Sequence, residues 1–289
     1  MSSLALVLVI AAATLHATWN MLAKQSQGHP AFFWLALIAS SFAYLPAFIV
    51  IMFLQPIPAM GWVWIAATGL LHTAYFWSLA RAYERADLSL AYPLARGIGP
   101  TLVLIISVAI IGEEISPIGL AGVLVVVAGI YVTNLSDLGL RAWLQAPLLL
   151  LRPSGRYAAI TGLIIGTYTL VDKQGVSVVN PLAYIYLMFL FSAIGITPLV
   201  IWRHGLRPWR GAPIRLRPVV TVAVLWVAAY LMVLIALTLA PTPYVSAARE
   251  VSILIGAGLG MTVLKEPRTL PRIVGVGAIA VGVVLVALA

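Results

Sequence analysis

Residues 92–132 read YPLARGIGPTLVLIISVAIIGEEISPIGLAGVLVVVAGIYV. Two apolar runs, 89–111 and 117–134, flank the polar turn GEEISP at 112–117. A bilayer core of about 30 Å is crossed by about 20 helical residues, and each run is near that length. A barrel strand would alternate polar and apolar side chains over about 10 residues, and LAGVLVVVAG does not alternate. A helix satisfies every backbone group within its own segment, so each run reads as a membrane-crossing helix.

Working outward, eight more runs follow the same rule: 4–23, 31–54, 61–83, 156–174, 181–202, 217–240, 243–264 and 271–288. The expected class is an all-α polytopic membrane protein with ten transmembrane helices. Composition agrees, with 63% of the 289 residues hydrophobic and 9% charged. A soluble domain carries about 25% charged residues, so too few polar side chains exist to cover a water-facing surface. The first run does not read as a secretory signal, because Met1, Ser2 and Ser3 provide no basic lead. With no cysteine, disulfides, thiolate catalysis and cysteine-held metals are excluded. The net charge of +9 fits basic loops better than a nucleic-acid partner, and none is expected.

Loop charge sets an orientation. Fourteen Lys and Arg, from Lys24 to Arg272, fall on one side of the ten spans, while Lys173 alone falls on the other. Basic loops stay in the cytoplasm, so both termini are expected outside, in a bacterial inner membrane.

The chain also repeats. A shift of 153 residues pairs Arg96 with Arg249, Glu113 with Glu266, Gly122 with Gly275 and Gly129 with Gly282; a shift of 149 pairs Lys24 with Lys173, and one of 152 pairs Pro46 with Pro198. The expected units are 1–140 and 156–289, joined by a linker at 141–155. Five helices per unit is odd, so the second unit inserts upside down. Inverted repeats of this kind are a hallmark of secondary transporters.

HATWNMLAK (16–24), the 92–132 stretch and its echo LKEPRTLPRIVGVGAIAVGVVLV (264–286) carry a resemblance. They resemble EamA-type proteins of the drug/metabolite transporter superfamily, across essentially the whole chain. The resemblance implies a ten-helix inverted-repeat carrier, with amino-acid exporters of the YddG type the nearest comparison. No substrate-binding motif carries over residue by residue.

Ionisable residues inside a membrane are expensive and mark function by default. Arg96 lies about 10 Å into helix 4 at 1.5 Å per residue, and Arg249 lies similarly deep in helix 9. Each is a candidate to hold a substrate carboxylate; snorkelling or pairing with Glu250 or Asp172 is the competing role. Glu250 reads as the one carboxylate well inside a span, a candidate for a coupling proton or a partner for an arginine. Glu113 and Glu266 begin turns and are expected to cap helices or hold loops. Helical spacing groups His16, Trp19 and Asn20 on helix 1, and His72, Tyr75 and Tyr83 on helix 3. Tyr168 on helix 6 and Trp226 and Tyr230 on helix 8 complete a candidate cavity lining. Buried Tyr and Trp need polar partners, though any one of these rings packs as readily as it binds. Pro93, Gly97, Gly99 and Pro100 near Arg96, and Gly256, Gly258 and Gly260 after Glu250, suggest interrupted helices at matching positions. Gly122, Gly129, Gly275 and Gly282 suit close packing or a dimer face.

The expected function is a secondary transporter exporting small metabolites, foremost neutral or aromatic amino acids. Its partners are the substrate and the lipid bilayer, as a monomer or homodimer. No P-loop, nucleophile motif or metal-ligand cluster appears, so neither enzyme chemistry nor a cofactor is called for. The alternative is an exporter of organic cations or drugs by proton antiport, which needs a carboxylate facing the cavity.

Overall fold

The computed structural model describes residues 1–24, 29–85, 88–133, 135–145, 153–209, 214–262 and 269–289, with backbone alone for 24, 30, 80, 82–85, 88–96, 153–155 and 259–262. The first repeat comprises α1 (Ser3–Lys24), α2 (Pro30–Leu54), α3 (Ala59–Arg85), α4 (Leu88–Ile106) with a π turn (Ser107–Ile111), and α5 (Pro117–Val132). A short α6 (Leu140–Gln145) follows. The second repeat comprises α7 (Pro153–Val178), α8 (Pro181–His204), α9 (Leu216–Leu239), α10 (Thr242–Ala248) with α11 (Val251–Thr262), and α12 (Leu270–Leu288). Taking α10 and α11 as one broken span gives ten crossings. Five helices, α1, α2, α8, α9 and α12, hold stretches long and apolar enough to span by themselves among the described residues. Exposed Phe42, Phe53, Leu70 and Ile110 form the kind of apolar surface that a bilayer, not water, covers.

Helix starts are built alike in both repeats. His29 caps α2 by accepting from the Ala31 N–H, and Asn180 caps α8 by accepting from the Leu182 N–H; a proline opens each helix. Proline at the first helical position removes a donor that would have had no partner. Each of these helices also carries an internal proline, Pro46 and Pro198.

The packing is exchanged between repeats. Matching α1–α5 with α7, α8, α9, α10–α11 and α12, the α3–α7 contact has its counterpart in α1–α9, and α4–α7 in α1–α11. Likewise α3–α8 corresponds to α2–α9, while α2–α8 and α5–α12 map onto themselves. This is the contact pattern of a pseudo-two-fold axis running between α2–α8 at one end and α5–α12 at the other. Contacts within one repeat are sparser.

The four repeat-related glycines pack α5 against α12 inside one chain. A Cβ on Gly129 would lie 2.8 Å from the Gly275 carbonyl oxygen, and one on Gly282 2.7 Å from that of Gly122. All four are buried, so they serve packing and leave no dimer face there.

Three expectations about breaks and charges change. α11 runs unbroken past Gly256 and Gly258; the break falls at Arg249 and Glu250, where the chain makes a turn. α4 is helical through Pro93 and Pro100, and its irregularity is the π turn at 107–111. Lys173 lies within α7 and not in a loop; its ammonium donates to the carbonyls of Leu237 (2.6 Å) and Ala240 (3.1 Å). That places a cation on the orphan carbonyls at the end of α9, where a helix favours positive charge.

Candidate functional site

A cavity of about 90 Å³ lies between the repeats, enough for roughly six to nine waters at about 10–15 Å³ each. α1 contributes His16 and Trp19, α3 contributes His72, Tyr75 and Phe76, α7 contributes Tyr168, and α8 contributes Met188 and Phe189. α9 adds Trp226 and Tyr230, and the broken ninth crossing adds Arg249, at the turn between α10 and α11, and Ser252 in α11. Eight residues singled out in the sequence thus line one cavity: His16, Trp19, His72, Tyr75, Tyr168, Trp226, Tyr230 and Arg249.

The others fall elsewhere. Asn20 turns back on its own helix, its amide donating to the His16 carbonyl at 2.8 Å. The side chains of Tyr83 and Arg96, and all of Glu266, lie outside the described residues. Glu250 is 5% exposed and is not among the cavity-lining residues.

The rings form two groups. Trp226 stacks on Phe76 at 5.4 Å and meets Trp19 at 5.6 Å and Phe189 at 4.9 Å. His72 lies 4.2 Å from Tyr168 and 5.8 Å from Tyr230. The Arg249 guanidinium carbon sits 5.3 Å from the centre of the Tyr230 ring, a cation–π distance. The first group offers apolar area and the second offers hydroxyls, an imidazole and a cation.

Sequence reasoning missed the carboxylate at the centre of the second group. Asp172 is fully buried. One carboxylate oxygen accepts from the Thr68 hydroxyl at 2.6 Å and the Tyr184 hydroxyl at 2.8 Å, and the other from Tyr230 at 2.5 Å. Glu250 is therefore not the sole carboxylate inside a span. Asp172 looked like the end of a run because Lys173 follows it, yet α7 continues to Val178. The available signal was Tyr168 four residues earlier, which puts ring and carboxylate on one helical face. Gly175 admits the Tyr184 ring, since a Cβ there would collide with that ring.

In the same cavity lining as Arg249, two buried polar atoms have no hydrogen-bond partner among the described residues: the Trp226 indole nitrogen and the Ser252 hydroxyl. Away from the cavity, Glu113 holds the turn at 112–117 against the second repeat. Its carboxylate accepts from the Thr242 N–H at 2.7 Å and the Thr242 hydroxyl at 2.6 Å. The Tyr244 hydroxyl accepts from the Ser116 N–H at 2.8 Å. Glu113 is thus a clasp between repeats at the start of α10.

Comparison with known proteins agrees with this architecture. A solved structure described as "Crystal structure of protein" superposes with a TM-score of 0.71 over 100% of this chain and 99% of its own, at 16% identity. At that identity the likeness shows the fold alone. No curated protein matches the chain. The model of the EamA-like transporter family matches twice, over residues 3–135 and 156–288. The two matches place one family unit on each side of α6, and the chain belongs to the EamA-like transporter family.

Proposed function

We propose that this membrane transporter exports neutral amino acids with sizeable side chains by alternating access. The units 1–140 and 156–289 would rock about the cavity, with both termini on the periplasmic side of a bacterial inner membrane. The observation that carries the reading is a pair of buried groups without a partner among the described residues, Trp226 Nε1 and Ser252 Oγ, in the same cavity lining as Arg249. An unmet buried donor costs about 1–3 kcal/mol, and a ligand carboxylate against these groups relieves that cost. The side chain then lies on Trp226, Trp19, Phe76 and Phe189. Arg96, the repeat partner of Arg249, is proposed to meet the carboxylate on the other half of the cycle. A cavity of about 90 Å³ suits a solute of amino-acid size better than a bulky conjugate.

Export of organic cations is the second reading, and it needs an anion facing the cavity. Asp172 is fully buried behind three hydroxyls, and Arg249 on the wall repels a cation. The test is uptake by proteoliposomes offered Phe, Leu, Met and Thr alongside an organic cation. Uptake of the four amino acids at comparable rates, lowered by Ser252→Ala and Trp226→Phe, is expected. Uptake of the cation alone would exclude the assignment.

A further inference from the structure

The tautomer of His72 follows from its neighbours. Nδ1 lies 3.0 Å from the Thr68 hydroxyl oxygen and 3.0 Å from the Thr68 carbonyl oxygen. A carbonyl can only accept. The Thr68 hydroxyl gives its one proton to Asp172 at 2.6 Å, so toward His72 it too accepts. Nδ1 therefore carries the proton, and Nε2 of the neutral ring keeps its lone pair. Among the described residues Nε2 has no hydrogen-bond partner, and the ring forms part of the cavity wall.

We propose that this lone pair is the coupling site: a proton and the ammonium group of the substrate compete for His72 Nε2. The proposal rests on the amino-acid reading for the identity of the ammonium. With the ring neutral, Nε2 accepts a hydrogen bond from the substrate's ammonium while the carboxylate meets Arg249, Trp226 and Ser252. Tyr230 touches both ends of this arrangement, with His72 at 5.8 Å and Arg249 at 5.3 Å from its ring. When Nε2 takes a proton, its lone pair is consumed and the ring becomes a cation. It then repels the ammonium, so substrate and proton exclude each other, as exchange in opposite directions requires. No other bond forms or breaks, and the proton leaves from the same lone pair when the opposite face opens.

Asp172 and Thr68 act through the ring and are positioning residues. Asp172 supplies the negative charge that favours either cation at Nε2, and Thr68 carries it to Nδ1. The remaining titratable or charged groups facing His72 are Tyr75 on α3, Tyr168 on α7, Tyr230 on α9 and Arg249 at the α10–α11 break. Tyr230 is itself bound to Asp172. Arg249 lines the same cavity and its positive charge repels a second cation there.

Two measurements on the full chain in detergent test this. The first is binding of phenylalanine, phenethylamine and 3-phenylpropionate between pH 5.5 and 8. Affinity for the two amines is expected to fall about tenfold per pH unit below the His72 midpoint, while that for phenylpropionate does not. In His72→Gln the amines are expected to bind more weakly and with no such slope. In Thr68→Val and Asp172→Asn the slope is expected to move to lower pH. A full slope retained in His72→Gln overturns the proposal. Should phenethylamine show the slope while phenylalanine fails to bind at any pH, the coupling site stands and the amino-acid reading falls. The second is ¹⁵N NMR of the histidine-labelled wild type, which needs no ligand; the His72 signal is assigned among the four histidines by its loss in His72→Gln. Neutral His72 protonated at Nδ1 is expected; protonation at Nε2 overturns the proposal.

Discussion

Replacing Gly129 with alanine tests the packing of the two repeats against each other. The new Cβ would lie 2.8 Å from the Gly275 carbonyl oxygen and equally close to the Ile279 amide nitrogen. Both are backbone atoms, so no side-chain rotation relieves the contact. Ordinary contact begins at 3.4 Å, so α5 and α12 must part locally by about 0.6 Å. A gap of 0.5–1 Å forfeits roughly a quarter to a half of the dispersion attraction across it. In a bilayer that attraction is the main force between helices, because lipid tails are as apolar as the side chains. Overpacking of this kind costs about 1–3 kcal/mol, roughly a 5- to 150-fold shift in the unfolding equilibrium at 1.4 kcal/mol per tenfold. Gly277→Ala on the same helix is the control, since nothing lies within 4 Å of a Cβ there. Thermal unfolding in detergent, followed by loss of the monodisperse peak, compares the two. Gly129→Ala is expected to melt several degrees below Gly277→Ala. Equal midpoints would refute the idea that these glycines set the helix separation.

Arg249→Ala is expected to weaken binding of a zwitterionic amino acid roughly 10- to 100-fold, the value of a charge-assisted hydrogen bond of about 1.5–3 kcal/mol; unchanged affinity in a folded protein makes the arginine structural. Lys173→Met removes two hydrogen bonds to the carbonyls of Leu237 and Ala240, and a lowered melting midpoint is the expected result. His29 accepts the Ala31 N–H through Nδ1 at 3.2 Å, and burial first, then the nearby His204, hold its pKa below the ordinary 6.5. The folded chain therefore binds this proton less readily than the unfolded chain. The cap contributes fully above about pH 6.5 and is lost as pH falls through the lowered value. His29→Asn, which keeps an acceptor at the cap, is expected to flatten that part of the stability–pH curve. A C-terminal alkaline phosphatase fusion is expected to be active and a green fluorescent fusion dark; the reverse would exchange the two faces of the cavity.

Much of this molecule is legible in its letters because membrane spans are set by length and apolarity. All ten runs became crossings, and the pairing of Gly122, Gly129, Gly275 and Gly282 by repeat shift became a physical contact between α5 and α12. Aromatic residues at helical spacing converged because a face of an α-helix repeats every three or four residues. What stayed hidden were features that depend on neighbours distant in sequence. Asp172 is held by Thr68, Tyr184 and Tyr230 from three other helices, and no local pattern joins them. Trp226 and Ser252 become informative only as unpartnered groups, a property of packing. The turn at Arg249 and Glu250 escaped notice because glycines further along are the usual marks of a break, and here they merely continue α11.

The exchange of contacts between repeats also bears on how the chain is made. Since α1 packs chiefly on α9 and α11, and α3 on α7 and α8, the first five helices emerge from the ribosome with their main neighbours still unmade. The second family unit, 156–288, takes roughly 7 to 27 s to synthesise at about 5–20 residues per second. Until residue 172 is made, the Thr68 hydroxyl waits inside the membrane without the carboxylate that later accepts from it, and the hydroxyls of Tyr184 and Tyr230 that complete that site follow later still. The insertion machinery must shelter a half-built molecule in which the Thr68 hydroxyl lacks its later acceptor. Separately expressed halves of this protein are therefore expected to depend on each other, each finishing the other's interior.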